Sequence, residues 1–301
     1  MIKVKATSRD PVTTYAKNVL SGKIIAGPHV RAACQRHLND LEQAAQRGFF
    51  FDLDKVKRVI GFYEDILRLN GGEYEGQPYR LLDWQKFIVG SLFGWVNADG
   101  HRRFRVAYVE TAKGSGKSPL AAGIGLYGLV ADYEARAEIY AAATKKDQAM
   151  VLFRDAVVMV NQSPDLSANL TKSGVGESVW NLAYRRAGSF FRPISSDDGQ
   201  SGPRPHIALV DEIHEHKTNV AVEMMRAGTK NRRQALIFMI TNSGSDKYGP
   251  CWQYHEYAAR VASGQLIDDA FFSYVCALDD GDDPFQDESV WHKANPSLTY
   301  G

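Results

Sequence analysis

The chain lacks any uncharged apolar run of about 18 residues or more, so no membrane span is expected in it. Its first residues, Met1-Ile2-Lys3-Val4-Lys5-Ala6, carry charge with no apolar stretch behind them, which does not match a secretory leader. Cysteine is scarce. Cys34, Cys251 and Cys276 are three in number and far apart, so they fit neither a disulfide framework nor a zinc site and suggest a reducing compartment. An excess of one charge is also missing. The 36 Lys+Arg balance 35 Asp+Glu to a net +1, which excludes a strongly basic nucleic-acid-coating protein but not a local basic patch. No internal repeat or low-complexity tract is visible. What remains is ordinary globular material, 44% hydrophobic and 24% charged, with length for one large α/β domain or two small ones.

Apolar spacing predicts helices in the first 75 residues. Ala32 to Gln46 shows the pattern, and Asp54 to Leu69 shows it more clearly through Val56, Val59, Ile60, Tyr63, Ile66 and Leu67. Leu81 to Val96 reads as another helix. Short apolar runs then alternate with helical segments. The runs are Arg105–Glu110, Glu138–Ala143, Phe190–Ile194, Ile207–Asp211, Leu236–Thr241 and Phe271–Leu278; the helices are Lys117–Ala131, Lys146–Val160 and Ala221–Ala227. Apolar strands separated by helices argue for a mainly parallel sheet covered on both faces. The expected division is a helical region over 1–75, an α/β core over 76–278, and an acidic linker or lid over 279–301.

Between an expected strand and an expected helix stands Thr111-Ala112-Lys113-Gly114-Ser115-Gly116-Lys117-Ser118. The phosphate-loop pattern is G-x-x-x-x-G-K-[ST], and here Thr111 replaces the first glycine. Gly114 and Gly116 still let the backbone turn its N–H groups, with that of Ser115, toward phosphate oxygens, and the following helix adds its positive end. Lys117 supplies a point charge for the β- and γ-phosphates, and Ser118 a hydroxyl for Mg²⁺. A Gly/Ser/Lys-rich surface turn is the bland alternative. Ile207-Ala208-Leu209-Val210-Asp211-Glu212 is an apolar strand ending in two carboxylates. At the carboxyl end of a parallel strand, Asp211 would hold Mg²⁺ through water and Glu212 would polarise the attacking water. The alternative is an acidic helix cap. His214-Glu215-His216 lacks metal-site spacing and reads as polar loop beside that strand.

Leu236–Thr241, continued by Asn242-Ser243-Gly244, is a second buried strand with a polar end, suited either to sensing a γ-phosphate or simply to turning. Gln85 could read adenine through its amide, or could belong to an amphipathic helix with Trp84 in the core. Arg192, Arg204, Arg232 and Arg233 are candidates to reach a neighbouring subunit's phosphates, Arg204 standing just ahead of the acidic strand. Arg102-Arg103-Phe104-Arg105 and Lys230-Asn231-Arg232-Arg233 are basic stretches that could meet DNA phosphates or simply be solvated. The cluster from Asp279 to Asp283 lacks calcium-loop spacing and reads as solvated linker.

The ordered set of these pieces resembles the ATPase domain of the large terminase subunit of tailed bacteriophages, in its HK97-like branch. The set runs from Val30–Leu38 through Trp84-Gln85-Lys86-Phe87-Ile88, the phosphate loop, Ala143–Ala149, Val210–His214 and Ile240–Gly244 to Ala294-Asn295-Pro296-Ser297-Leu298. The resemblance implies an α/β P-loop ATPase that uses ATP and Mg²⁺ and forms a ring on the portal of a capsid. Such a ring translocates double-stranded DNA inward, with specificity for one genome depending on a small terminase subunit, in the cytoplasm of the infected cell and without membrane contact. It assigns Lys117 and Ser118 to Walker A, Asp211 to the metal-binding Walker B position, Glu212 to catalysis, Thr241 and Asn242 to coupling, and Gln85 to adenine. Two positions depart from the family. Lys113 stands where relatives often have arginine, and Thr241-Asn242 stands for Thr-Thr. Relatives continue into a nuclease domain, and no nuclease activity is expected of these residues. The rival readings are a DExH-type helicase, from Asp211-Glu212-Ile213-His214, and a nucleotide-binding scaffold with a degenerate loop.

Overall fold

Strand residues here alternate between two apolar faces, and that alternation builds the molecule. The computed structural model describes residues 10–195 and 202–298. Met1–Ala6 and the last residues of the 279–301 segment lie outside them. In chain order the helices and strands are α1 (Pro11–Leu20), α2 (Pro28–Gln43), β1 (Phe49–Phe51), α3 (Leu53–Gly61), α4 (Asp83–Gly94), β2 (Trp95–Asn97), β3 (Val106–Glu110), α5 (Lys117–Val130), β4 (Glu138–Ala143), α6 (Lys146–Gln162) and α7 (Pro164–Asn169). They continue with β5 (Thr171–Ser173), β6 (Asn181–Tyr184), β7 (Ser189–Ser195), β8 (Ile207–Val210), α8 (Val220–Gly228), β9 (Leu236–Thr241), α9 (Pro250–Ala262), β10 (Phe271–Val275) and α10 (Trp291–Ala294).

Eight strands form one sheet in the order β10-β3-β9-β8-β4-β7-β6-β5. The first six run parallel, and β6 and β5 extend the edge antiparallel. On one face Ala107, Val109, Ile139, Leu209, Phe238 and Tyr274 pack under α1 to α6. On the other, Tyr108, Tyr140, Val210, Met239 and Val275 pack under α8 and α9. Because both faces are covered, the strands read as continuous apolar runs. The helices before residue 75 share the larger core with the sheet.

All six expected parallel strands are present, with bounds within a few residues. The helix expected over Leu81–Val96 stops at Gly94, because Trp95–Asn97 turns extended and pairs antiparallel with β1. The helix expected to Leu69 gives way to a π-type turn over Phe62–Ile66, where Leu67 is already extended. Asp10 and Asp52 cap α1 and α3 by accepting backbone N–H groups, which fixes where those helices begin.

Beyond β10 the acidic turn is paired. Asp279 takes both Arg31 (2.5 Å) and Lys293 (2.8 Å), and Asp282 takes Lys293 at 2.8 Å. These bonds turn the chain back toward the phosphate loop. No helix among the described residues is long and apolar enough to cross a membrane.

Candidate nucleotide site

The loop after β3 enters α5 through Gly116 at φ 86°, and Gly114 stands at φ 79°. Side chains with a Cβ rarely adopt that backbone, so both positions depend on glycine. Thr111 does not disturb the loop: it is buried, and its hydroxyl shares a hydrogen bond with that of Ser115, one turn further on. The β10-side chain end closes over this loop. Ala112 N–H donates to Ala294 O at 3.2 Å, Ser297 Oγ donates to Ser115 O at 3.0 Å, and Trp84 Nε1 donates to Ser297 Oγ at 3.2 Å.

Lys117 is buried, and its ammonium donates to Thr111 O (3.1 Å), Ala112 O (2.8 Å) and Asn242 Oδ1 (2.6 Å). Burial lowers its pKa, against the opposing pull of Glu212 and Asp211. Ser118 Oγ donates to Asp211 Oδ2 at 3.1 Å, and Asp211 Oδ1 accepts the Glu212 N–H at 2.8 Å. Burial, and then the neighbouring Glu212 charge, push the Asp211 carboxyl up to about 6. Such a carboxylate gains from a cation placed beside it.

Glu212 sits at φ 51°, a conformation that non-glycine residues rarely adopt and that turns the chain sharply at the strand end. Its Oε2 is shielded and has no aligned donor among the described residues; His214 Nδ1 lies 3.1 Å away. The same Nδ1 lies 3.1 Å from Thr241 Oγ1, which also accepts the His214 N–H at 3.0 Å. His214 therefore touches both the carboxylate and the end of β9. Both His214 and Ser297 fall in runs that the sequence singles out, but those runs assign neither of them these contacts.

The order β3-β9-β8 puts the polar-ended strand between the phosphate-loop strand and the acidic strand. Thr111, Lys117, Ser118, Asp211, Glu212, Thr241 and Asn242 thus meet at the carboxyl ends of three neighbouring strands. Gln85 is buried beside them. A Cβ on Gly116 would lie 3.5 Å from its Nε2, while its Oε1 accepts the Leu82 N–H at 3.0 Å and so also caps α4. Lys113 is exposed at the loop tip. Arg204 is not part of this gathering. It is exposed at the opposite end of β8, about 20 Å of extended chain from Asp211, with its N–H on Glu138. Arg192 lies over Phe190, and Arg232 pairs with Glu134.

A glycine-bent loop leading from a strand into a helix N-terminus, facing acids on a strand one removed, belongs to the P-loop NTPases. Within that class, residues 83–260 match the family described as "Terminase large subunit, ATPase domain", and the chain belongs to that family. It is 33% identical over 162 residues to the terminase large subunit of Enterobacteria phage HK97, a stretch that is 53% of this chain and 31% of that protein. It is 37% identical over 97 residues to Protein YmfN of Escherichia coli (strain K12), covering 32% of this chain and 21% of YmfN. The crystal structure of the HK97 large terminase superposes with a TM-score of 0.67 at 22% identity, over 81% of this chain and 48% of that one, and shows the shared fold. The chain therefore spans less than half the length of these relatives.

Proposed function

We propose that this chain is the ATP-hydrolysing motor of a viral DNA-packaging terminase, driving double-stranded DNA into a capsid. The observation that carries the reading is the Ser118–Asp211 contact of 3.1 Å, with Lys117 and Glu212 adjacent in sequence to its two ends. It brings the start of the helix that follows the glycine-bent loop directly against the acidic end of β8.

In this reading the N–H groups of Gly114, Ser115 and Gly116 and the exposed Lys113 hold the triphosphate, and Lys117 neutralises its β- and γ-oxygens. Gln85 contacts the base from beside Gly116. Mg²⁺ fits the donor set, a hydroxyl and one buried carboxylate with an upward-shifted pKa, completed by phosphate oxygens and water. When bound it neutralises charge on the transferring phosphoryl group. Glu212, one residue past Asp211, orients the attacking water and takes its proton. Thr241 and Asn242 sense whether phosphate is present. Arg204, remote from its own chain's loop, acts on a neighbouring subunit in a ring. Double-stranded DNA, a portal, a small terminase subunit and the infected cell's cytoplasm complete the setting. The division near residues 75 and 278 separates a helical region, the catalytic core and a closing segment.

Steady-state ATP hydrolysis at several protein concentrations, wild type beside Glu212→Gln, tests this. A Glu212-dependent rate that rises faster than linearly with concentration is expected of a ring completed in trans. Tight ATP binding without Glu212-dependent turnover at any concentration would overturn the motor in favour of a binding scaffold.

A further inference from the structure

Glu110 takes no part in the phosphate chemistry above, yet its carboxylate is placed where three strand ends meet. It pairs in register with Thr241 on β9 and Val275 on β10, and its carbonyl accepts the Cys276 N–H at 2.8 Å. The side chain is buried and both oxygens are taken. Oε1 accepts the Ser243 hydroxyl at 2.8 Å; Oε2 accepts the Tyr108 hydroxyl at 2.8 Å and His255 Nδ1–H at 3.0 Å. Burial alone would raise this carboxyl, but His255, Ser243 and Tyr108 together hold it below its ordinary value. The bond to Glu110 raises His255 in turn. The His255 ring stacks on Trp252, with centroids 5.0 Å apart and planes 10° from parallel, and meets His29 edge-on at 5.6 Å.

Ser243 is one residue from Asn242, whose amide oxygen accepts Lys117. The ammonium has three protons and three acceptors. A phosphate entering the loop must displace one. Two of the acceptors are carbonyls of the loop backbone, so the Asn242 side chain is the partner free to turn away. That movement begins next to Ser243, which is anchored to a carboxylate with no freedom of its own.

We propose that Glu110 is a positioning residue that ties residues 242–244 to helix α9 through Ser243 and His255, so that the exchange of Asn242 for nucleotide phosphate at Lys117 is felt at the Trp252–His255 stack. The link rests on the nucleotide reading above. It differs from the coupling expected of Thr241 and Asn242 because its pivot lies on β3 and its output lies on α9.

The test uses the 301-residue chain with ATPγS and Mg²⁺, read by tryptophan fluorescence and by ATP turnover. Subtracting the signal of Trp252→Phe, whose kcat stays within about twofold of wild type, isolates the Trp252 response. Ser243→Ala and Glu110→Gln are expected to bind ATPγS within about threefold of wild type, to lose at least about half of the Trp252 response, and to lose about tenfold in kcat. Ser243→Thr keeps the hydroxyl and restores both. Ser243 is exposed, so its alanine variant folds whatever becomes of Glu110→Gln. Wild-type binding together with full response and full kcat in Ser243→Ala overturns the link alone. No nucleotide binding by the wild type overturns the nucleotide reading and the link with it.

Discussion

Replacing Asp211 by asparagine should make the nucleotide-free protein more stable at pH 8 while ending its hydrolysis. A carboxyl that ordinarily titrates near 3.8 is pushed up to about 6, first by burial and then by Glu212. The difference of about 2 units is worth about 3 kcal/mol at 1.36 kcal/mol per unit. The sign follows from proton binding. The folded state holds the Asp211 proton up to about pH 6 and the unfolded chain only to about pH 4, so folding is penalised as pH rises through that window. The penalty is absent below the lower value and complete above the upper one.

Asparagine has nearly the same shape and carries no charge to desolvate; its one amide oxygen accepts the Glu212 N–H, while its NH2 donates to the Ser118 hydroxyl oxygen, which reverses that bond. Its stabilising effect should be about 3 kcal/mol at pH 8 and only about 1 kcal/mol at pH 4.5. For a chain of this size that is a rise in melting temperature of about 5 °C at pH 8. Thermal unfolding followed by circular dichroism at both pH values, without metal or nucleotide, measures it. Mg²⁺ with ATPγS should stabilise the wild type selectively and narrow the gap. A shift of equal size at the two pH values, or a less stable variant at pH 8, would refute the account of Asp211.

Three further outcomes are expected. Glu212→Gln should bind ATPγS as the wild type does but lose at least about 100-fold in kcat, since a positioned base contributes about 10²–10⁴-fold; equal loss of binding would move Glu212 out of the catalytic role. Asp132→Ala should cost about 3–5 kcal/mol in urea unfolding with an unchanged m-value, because Arg102 and His206, both buried, lose their shared carboxylate at 2.9 and 2.6 Å. Ser297→Ala should cost about 1 kcal/mol and speed amide exchange at Ala112, since its hydroxyl bridges Trp84 and Ser115; unchanged exchange there would mean that the closing segment does not hold the loop.

The parallel core was legible because it is buried on both faces. Leu236–Thr241 and Glu138–Ala143 have no polar face to blur them, and their expected bounds agree with β9 and β4 residue for residue. The antiparallel extension was not legible. Thr171-Lys172-Ser173 is a short edge strand with polar residues, and neither period nor apolar run marks it. Helix α9 escaped for another reason. A Gly/Ser/Asp/Lys stretch leads into it, and Pro250, its first residue, is as common in turns as at the start of a helix.

At the site, motif spacing picks out residues that the fold brings together, but not the contacts they make. Lys117, Ser118, Asp211 and Glu212 stand in runs whose spacing reflects the sheet, and the order β3-β9-β8 brings them together. Spacing says nothing about the partners these groups hold before substrate arrives. Gln85 reads from the sequence as a base contact or as part of an amphipathic helix with Trp84 in the core; it lies buried against Gly116 and also caps α4, because one oxygen can serve the helix while the amide faces the loop. His214 was read as loop polarity, yet it spans Glu212 and Thr241 across a strand boundary. Glu110 drew no attention as the last residue of an apolar strand. A carboxylate in that place is costly unless both oxygens are hydrogen-bonded, and here Ser243 and His255 come from far along the chain to join Tyr108, two residues away on β3, in meeting them. Polar groups that depend on such distant partners carry no local pattern. They are found by asking which buried charge the fold has had to satisfy.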